Sequence, residues 1–461
     1  MENTLQNEAQ DTQTSISLRE RFAYGLGNTA SCVVYTLITS LLVFFYTDYI
    51  GISAGVVGTI MLISRCFDGG SDIIMGYITD HTHSRHGKAR AWLLWMLIPY
   101  GVTCVALFLI PANASSVFQY VYIFVTYNLV NTIVYTAMNL PYGTLSAMMT
   151  RDQYEREKIN VMRMALGPVG TILISSCTLP LVKHFGDDQR AWIITISLFM
   201  LFGMLCLLLC FLGTKERVQI EANTKSHIPF TTSLRALFSN RYWALAMGLW
   251  GMQGVYLTFN GTNLPYYCEY ILGNKVLSSG ISTVENLVQI AFILLMPWFL
   301  HRFGKRNMAL AGAIVAIVGQ IPVILAPASY AAAMTSAVFR GIGAAPLFAA
   351  IFSFIADSVE YGQWKSHLRI EGMIFSAASV GAKLGGGSAS AIIGKILDST
   401  GYDGLAAMQS TTATGAILNM YVWGPVIIWL IAVALLIFYR LDKQYPSIME
   451  ELHAREMRGE L

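Results

Sequence analysis

Long, nearly unbroken apolar runs dominate this chain, and several exceed the roughly 18–20 residues that carry a helix across a hydrocarbon layer. Twelve can be marked, at 24–46, 54–78, 91–111, 118–147, 161–182, 191–213, 243–266, 278–300, 308–327, 331–356, 373–394 and 416–439. Spread over 461 residues, they leave about 38 residues per helix and loop, too few for a large water-soluble domain. Charged residues make up only 12% of the chain, about half the share found in a soluble protein. That composition excludes a soluble enzyme. A net charge of +3 offers no basic face for nucleic acid. Residues 1–16 are polar and lack an apolar cleavable core, so no secretory leader is expected and the spans themselves direct insertion. Cys32, Cys66, Cys104, Cys177, Cys206 and Cys210 lie inside spans, and Cys268 sits near a helix end. Thiols placed this way behave as small hydrophobes, and no disulfide framework is expected.

Lysine and arginine set the orientation. With a cytoplasmic N-terminus, one side collects Arg19 and Arg21, then Arg85, Lys88 and Arg90, then Arg151, Arg156 and Lys158. The same side continues with Lys215, Arg217, Lys225, Arg235 and Arg241, with Arg302, Lys305 and Arg306, with Lys365 and Arg369, and with Arg440, Lys443, Arg455 and Arg458. The opposite side holds only Lys183, Arg190, Lys275 and Lys395. Both termini are therefore expected in the cytoplasm. The longest polar stretch, 214–242, divides the chain into a segment 1–21, a six-helix bundle 22–213, a central loop, a second six-helix bundle 243–440 and a tail 441–461. Each half has a basic turn between its second and third helices, Gly87-Lys88-Ala89-Arg90 and Gly304-Lys305-Arg306. Pro346 and Gly362 interrupt the pattern of the tenth span and its exit loop. The expected fold class is an all-α membrane protein, twelve helices in two pseudo-symmetric bundles, which suits a transporter that rocks around a midplane site.

A few charges lie where a membrane helix should have none. Asp68 and Asp72 stand four residues apart in the second span, so their carboxylates face nearly the same way, about 6 Å apart along the axis. Each costs about 2.5–3.5 kcal/mol at mid-helix. Their mutual repulsion adds about 2.8 kcal/mol at an effective dielectric of 20. A shared cation, or a proton on one of them, relieves that cost, and the pair is therefore a candidate cation site. A salt bridge to Arg65 or Arg163 is the purely structural alternative. Ser71 lies between the two acids, and Thr136 in the fourth span offers a further hydroxyl; hard cations take oxygen ligands. By its sequence context alone, Thr136 is expected to bond its own helix carbonyl. Arg163 and Lys383 are deep cations. Lys383 sits in Gly381-Ala382-Lys383-Leu384-Gly385-Gly386-Gly387, a run that favours close helix packing over phosphate binding because it follows no strand. Glu285, flanked by Asn286 and Gln289, can either accept from a polar ligand or pair with Lys383. The cluster His81-Thr82-His83-Ser84-Arg85-His86 is better read as a solvated basic loop than as a metal site, and no metal beyond a coupling cation is expected. Cys206 and Cys210, four residues apart, have no histidine nearby and are expected to pack. No metalloprotease helix, serine elbow or P-loop is present, so neither hydrolysis nor ATP-driven pumping has a motif.

Several motifs in order then point to a family. They are Tyr24-Gly25-Leu26-Gly27, Phe45-Tyr46-Thr47-Asp48, Arg65-Cys66-Phe67-Asp68 with Asp72, Ser84-Arg85-His86-Gly87-Lys88, Asn139-Leu140-Pro141-Tyr142, Ala356-Asp357 with Glu360-Tyr361-Gly362, and Lys383 before its glycines. Over roughly residues 20–440 the chain resembles the glycoside–pentoside–hexuronide:cation symporters of the major facilitator superfamily, relatives of the melibiose permease. The resemblance implies the major facilitator fold, a bacterial inner (plasma) membrane location and function as a monomer. It implies a cation held by Asp68 and Asp72 with Thr136, Arg163 near sugar and acids, and Lys383 placed to link the halves. Positions matching the two sugar-contacting acids of the melibiose permease are Cys32 and Asn139. The Asn between its cation-binding acids is Ser71 here, an aromatic of its sugar pocket is Gly143, and His86 and Ala91 replace a usual Trp and Pro.

The expected activity is therefore symport of a sugar or glycoside with Na⁺, H⁺ or Li⁺, without a cofactor. Loss of two acids with retention of Arg163 and Lys383 makes the pocket less negative and admits a uronide or sulfosugar. Ser71 in place of an amide leaves proton coupling open. Asn28, Cys32, Asn139, Arg163, Glu285 and Lys383 are the candidate substrate residues, with Gln253, Asn260 and Asn263 as further hydrogen-bonding groups. Two alternatives share the pattern: a sodium-coupled lysolipid carrier of the same fold, and a membrane sugar sensor that transports nothing.

Overall fold

The computed structural model describes residues 16–80, 82–111, 114–150, 153–217, 230–366, 368, 371–406 and 408–458. His81, residues 1–15 and most of the central loop (218–229) lie outside them. Among the described residues the regular elements are all helices. Contacts divide the chain into two compact units, Met1–Ile52 with Ile63–Asn223 (unit 1) and Ser53–Leu62 with Thr224–Leu461 (unit 2).

Unit 1 begins with α1 (Leu18–Thr36) and α2 (Leu42–Asp48), joined without a break by a π-helical stretch Leu37–Leu41. Next come α3 (Ala54–Asp80), of which the part from Ile63 onward belongs to this unit, α4 (Arg90–Trp95) and α5 (Leu97–Ala106). The fourth span is α6 (Ser116–Asn128), a second π stretch Leu129–Tyr135 and α7 (Thr136–Met149). α8 (Gln153–His184) and α9 (Gln189–Gly213) complete the unit. Ser17 and Asp188 cap α1 and α9, accepting from the amides of Glu20 (3.3 Å) and Ala191 (2.7 Å). Glycine lets α1 and α8 meet closely: a Cβ at Gly170 would stand 2.4 Å from the Thr29 carbonyl oxygen.

Unit 2 contains α10 (Phe230–Ser239), α11 (Arg241–Tyr270), α12 (Leu277–Phe303), α13 (Lys305–Val318), α14 (Ile321–Leu325), α15 (Tyr330–Ser366), α16 (Glu371–Ser399), α17 (Thr411–Phe438) and α18 (Leu441–Met457). The interrupted pattern at Pro346 and Gly362 does not break the backbone, since α15 runs as one helix through both. Pro346 is accommodated against Gly312, where a Cβ would come within 2.9 Å of the proline ring. The glycine run around Lys383 packs as its composition suggests. A Cβ at Gly254 would lie 2.3 Å from the Ala382 carbonyl oxygen, and one at Gly385 equally close to that of Gly251.

Among the described residues, eight helical segments are long and apolar enough to cross a membrane, and Ala54–Arg65 and Leu97–Ala106 are shorter apolar helices. α11 and α16 have the length, 30 and 29 residues, but carry polar groups that lower their hydropathy.

The two basic turns are built alike. Each starts on a glycine in the left-handed region, Gly87 at φ +97° and Gly304 at φ +78°. In unit 1, Arg90 donates to the Phe211 carbonyl at the end of α9 (2.7 Å), and the Glu216 carboxylate takes the amides of Lys88, Ala89 and Arg90 at 2.7–2.9 Å. In unit 2, Arg306 donates to the Leu436 carbonyl at the end of α17 (2.7 Å), and Asp442 takes the Arg306 amide (3.3 Å). Glu20 and Arg217 form a bidentate pair at 2.8 Å at the same end of unit 1. Beside it, burial pushes the Glu155 carboxyl up, but hydrogen bonds from Lys158, the Ile16 amide and Arg21 outweigh burial and hold it below its usual range.

Candidate functional site

The second span presents Ser64, Asp68 and Asp72, and the fourth presents Asn128, Thr132 and Thr136, both at intervals of four. A four-residue step returns an α-helix to the same face within about 40°. The structure joins the two rows rung by rung. Asn128 Nδ2 donates to Ser64 Oγ (2.8 Å), Thr132 Oγ1 to Asp68 Oδ1 (2.8 Å) and Thr136 Oγ1 to Asp72 Oδ1 (3.2 Å). Each rung links residues 64 apart, as expected of neighbouring helices that run in the same direction. The middle rung is the densest. Asn131 Nδ2 reaches both Asp68 oxygens, at 3.0 and 2.9 Å, and Arg65 Nη1 lies 3.4 Å from Oδ2 and from Asn131 Oδ1. Asp68 is 2% exposed. Asn131 and Thr132 fall in the π stretch, whose wider turn lets two consecutive side chains address one carboxylate; such stretches recur at functional sites.

Thr136 therefore bonds Asp72 rather than its own backbone, contrary to the expectation from its sequence context. Ser71 turns its hydroxyl onto the Asp68 carbonyl of its own helix at 2.9 Å. Arg65 supplies the expected local bridge to Asp68, as a single long contact. Arg163 bridges neither acid. Its guanidinium lies 5.1 Å from the centre of the Tyr142 ring, and its buried Nε has no hydrogen-bond partner. Asn28 Nδ2 donates to the Arg163 carbonyl (3.0 Å), and Asn28 and Cys32 both crowd Gly167, so Asn28, Cys32 and Arg163 gather where α1 meets α8. Asn139 on α7 joins α1 by accepting from Ser31 (3.3 Å). Tyr142 stacks on Tyr24 at 4.6 Å, each hydroxyl bonded to the other's carbonyl. Gly143 faces open space, with no atom within 4 Å of a Cβ built there.

In unit 2 the candidates gather differently. Glu285 pairs with Arg340, where pairing with Lys383 was one of the two sequence readings: Nε and Nη2 stand 3.0 and 2.9 Å from Oε2. Oε1 accepts from Tyr256 (2.7 Å) and Asn260 (2.9 Å). Arg340, fully buried, also donates to Tyr421 at 3.1 and 3.2 Å, and Tyr421 stacks on Tyr267 at 3.7 Å. The outer oxygen of Asn260 and both amide atoms of Asn263 are buried without a partner. Lys383 is half-buried on α16. Near the unit 1 turn, His86 accepts from Arg85 at 3.2 Å and packs edge-on against Phe211.

The residues missed from sequence are Asn131 and Thr132 in unit 1 and Arg340, Tyr256 and Tyr421 in unit 2. For the first pair a signal existed: the matching four-residue spacing of polar groups in two spans. For Arg340 the signal was its place mid-span, which calls for an acid partner.

A family described as MFS/sugar transport protein matches residues 23–443. The isoprimeverose transporter of Lactiplantibacillus pentosus is 35% identical over 95% of this chain and 92% of its own length. An inner membrane symporter of Escherichia coli (strain K12) is 29% identical over 95% of each. Among solved structures, a bacterial homolog of the human lysosomal transporter Spinster matches with a TM-score of 0.68 at 15% identity, covering 94% of this chain and 99% of that one, a likeness of fold alone.

Proposed function

We propose that this chain, which belongs to the MFS/sugar transport protein family and within it to the glycoside–pentoside–hexuronide:cation symporters, moves a sugar or glycoside in step with a cation by alternating access. The observation that carries the coupling is the ladder between the second and fourth spans. Neutral amide and hydroxyl donors surround the Asp68 carboxyl in an apolar helix, while Arg65 reaches it only at 3.4 Å. Asp72 with the Thr136 hydroxyl completes an oxygen-rich position one turn away, suited to Na⁺, Li⁺ or a proton. Cation arrival relieves the repulsion between the carboxylates, and coupling requires that sugar tighten the cation by the factor by which the cation tightens sugar.

On the sugar side, Asn28, Cys32, Asn139 and Arg163 of unit 1 meet the substrate, and the unpartnered amide oxygen of Asn260 and amide of Asn263 in unit 2 receive hydroxyls. Glu285 acts there through Asn260, which it orients, and Lys383 contributes a positive charge. The room beside Gly143 accommodates a substituent that an aromatic at that position would exclude. With Arg163 held over a ring rather than by an acid, we extend the reading to an anionic sugar derivative such as a uronide or sulfosugar. The chain acts as a monomer in a bacterial inner membrane with both termini cytoplasmic. The test is uptake into vesicles under imposed Na⁺ or H⁺ gradients, across neutral glycosides including isoprimeverose and anionic ones including glucuronides. Gradient-driven accumulation of at least one is expected. Equal uptake with and without every gradient refutes the coupling, and preference for neutral sugars removes the anionic extension alone.

A further inference from the structure

At one end of unit 2, the first turn of α11 and the junction of α17 with α18 line an open cleft of about 570 Å³. Arg241, Tyr242, Leu245, Phe438, Arg440 and Gln444 are among its lining residues. That is within the range of small-ligand sites. We propose that it binds the phosphate of an anionic phospholipid, such as phosphatidylglycerol, drawn from the surrounding bilayer. This inference is independent of the transported solute.

The charge comes first. Neither Arg241 nor Arg440 makes an ion pair among the described residues, although both line one cavity. Arg241 is held rather than loose. Its guanidinium lies 4.6 Å from the Tyr242 ring centre and 5.9 Å from that of Tyr361, and it donates to the Tyr242 hydroxyl at 3.0 Å. Tyr242 is fixed in turn by donating to Gln444 Oε1 at 3.2 Å. A planar guanidinium preorganised in this way can donate to two oxygens of a phosphate at once. The helix ends add to the same field. The positive N-terminal end of α11 points into the cavity wall at Arg241, while the last carbonyls of α17, at Leu436 and Ile437, are already taken by Arg306. Asp442, the nearby acid, accepts the Arg306 amide.

The rest of the wall selects a lipid over a soluble phosphate. Leu245 continues the apolar face of α11, and Phe438, the last residue of α17, is 71% exposed. Charge meets hydrocarbon at this height, since the apolar spans stop here and arginines begin. A ligand with an anionic head and acyl chains satisfies both parts of the wall, and basic pockets between helices at this depth are a recurrent form of lipid recognition.

The test uses the full chain in detergent, with dioleoyl-phosphatidylglycerol, dioleoyl-phosphatidylcholine and glycerol 1-phosphate as probes. Retention is read by native mass spectrometry and by the shift in thermal midpoint. Phosphatidylglycerol is expected to be retained and to stabilise, while phosphatidylcholine and glycerol phosphate do neither. Arg241→Ala or Arg440→Ala should each weaken phosphatidylglycerol about fivefold and the double variant about thirtyfold. Lys443→Ala, an exposed cation outside the cavity, should change nothing. Since both arginines are exposed, the variants should keep the unliganded thermal midpoint, which the same measurement checks. Undiminished phosphatidylglycerol binding by the double variant, equal retention of phosphatidylcholine, or equal binding of glycerol phosphate would each overturn the proposal.

Discussion

Asp68 in unit 1 and Glu285 in unit 2 are both buried carboxylates on helices within the apolar spans, yet their surroundings differ in kind. Glu285 receives a guanidinium at hydrogen-bond distance on one oxygen and two neutral donors on the other. Asp68 receives neutral donors on both oxygens and a guanidinium only at 3.4 Å. The first acid is compensated by its own fold. The second has neutral donors and one long guanidinium contact, which leaves room for a cation that comes and goes. An acid fully paired inside the protein has little left to offer a cation, because breaking the pair costs more than the cation returns.

Substitution should separate the two sites. The largest expected effect is at the cation ladder: Asp68→Asn or Asp72→Asn should abolish accumulation against a gradient while solute exchange partly survives, as measured by counterflow in vesicles. Full accumulation in both variants would erase the distinction between the two acids. Next, Glu285→Gln should destabilise unit 2 by about 3–5 kcal/mol, because Arg340 is left buried without its partner. Glu285→Gln with Arg340→Met should recover most of that loss; thermal unfolding in detergent measures both. A double variant no more stable than the single would show that Glu285 does more than balance Arg340. The smallest effect is the sharpest probe: Thr136→Val should raise the half-saturating cation concentration about tenfold with little change in stability, the loss of one hydrogen-bonding oxygen at a charged site. A Thr136→Val variant with wild-type cation dependence would remove that hydroxyl from the site.

Much of this was readable beforehand, for reasons that are physical. Asp68 and Asp72 announced themselves because an acid in an apolar helix carries a cost that something must offset. The glycines around Lys383 were readable as packing, and Gly251 and Gly254 supply the facing surface. The repeated basic turns stood out by composition, but their mates Glu216 and Asp442 did not, because those contacts bridge 126–136 residues. Asn131 escaped for a different reason. On a regular helix it lies about 100° from Thr132, and only the π stretch brings both to one carboxylate. Period-based reading assumes a constant turn, and at this site the turn changes. Glu285 shows the remaining limit: sequence offered a polar ligand or Lys383, and although Arg340 mid-span called for an acid, nothing matched the two across 55 residues.

The ladder's even spacing leaves one question of register. Two rows of polar groups, each repeating every turn, could mesh equally well after a slip of about 5.4 Å, with Thr132 then facing Asp72 or Ser64. The adjacent donors Asn131 and Thr132 act as a key, because in this register both meet Asp68. Displacing the fourth span by one turn would carry that doublet to a neighbour and leave Asp68 facing Asn128 or Thr136 alone. The alignment of the two helices and the charge at their centre are therefore one variable, and whatever neutralises Asp68 also loosens the lock on their axial position.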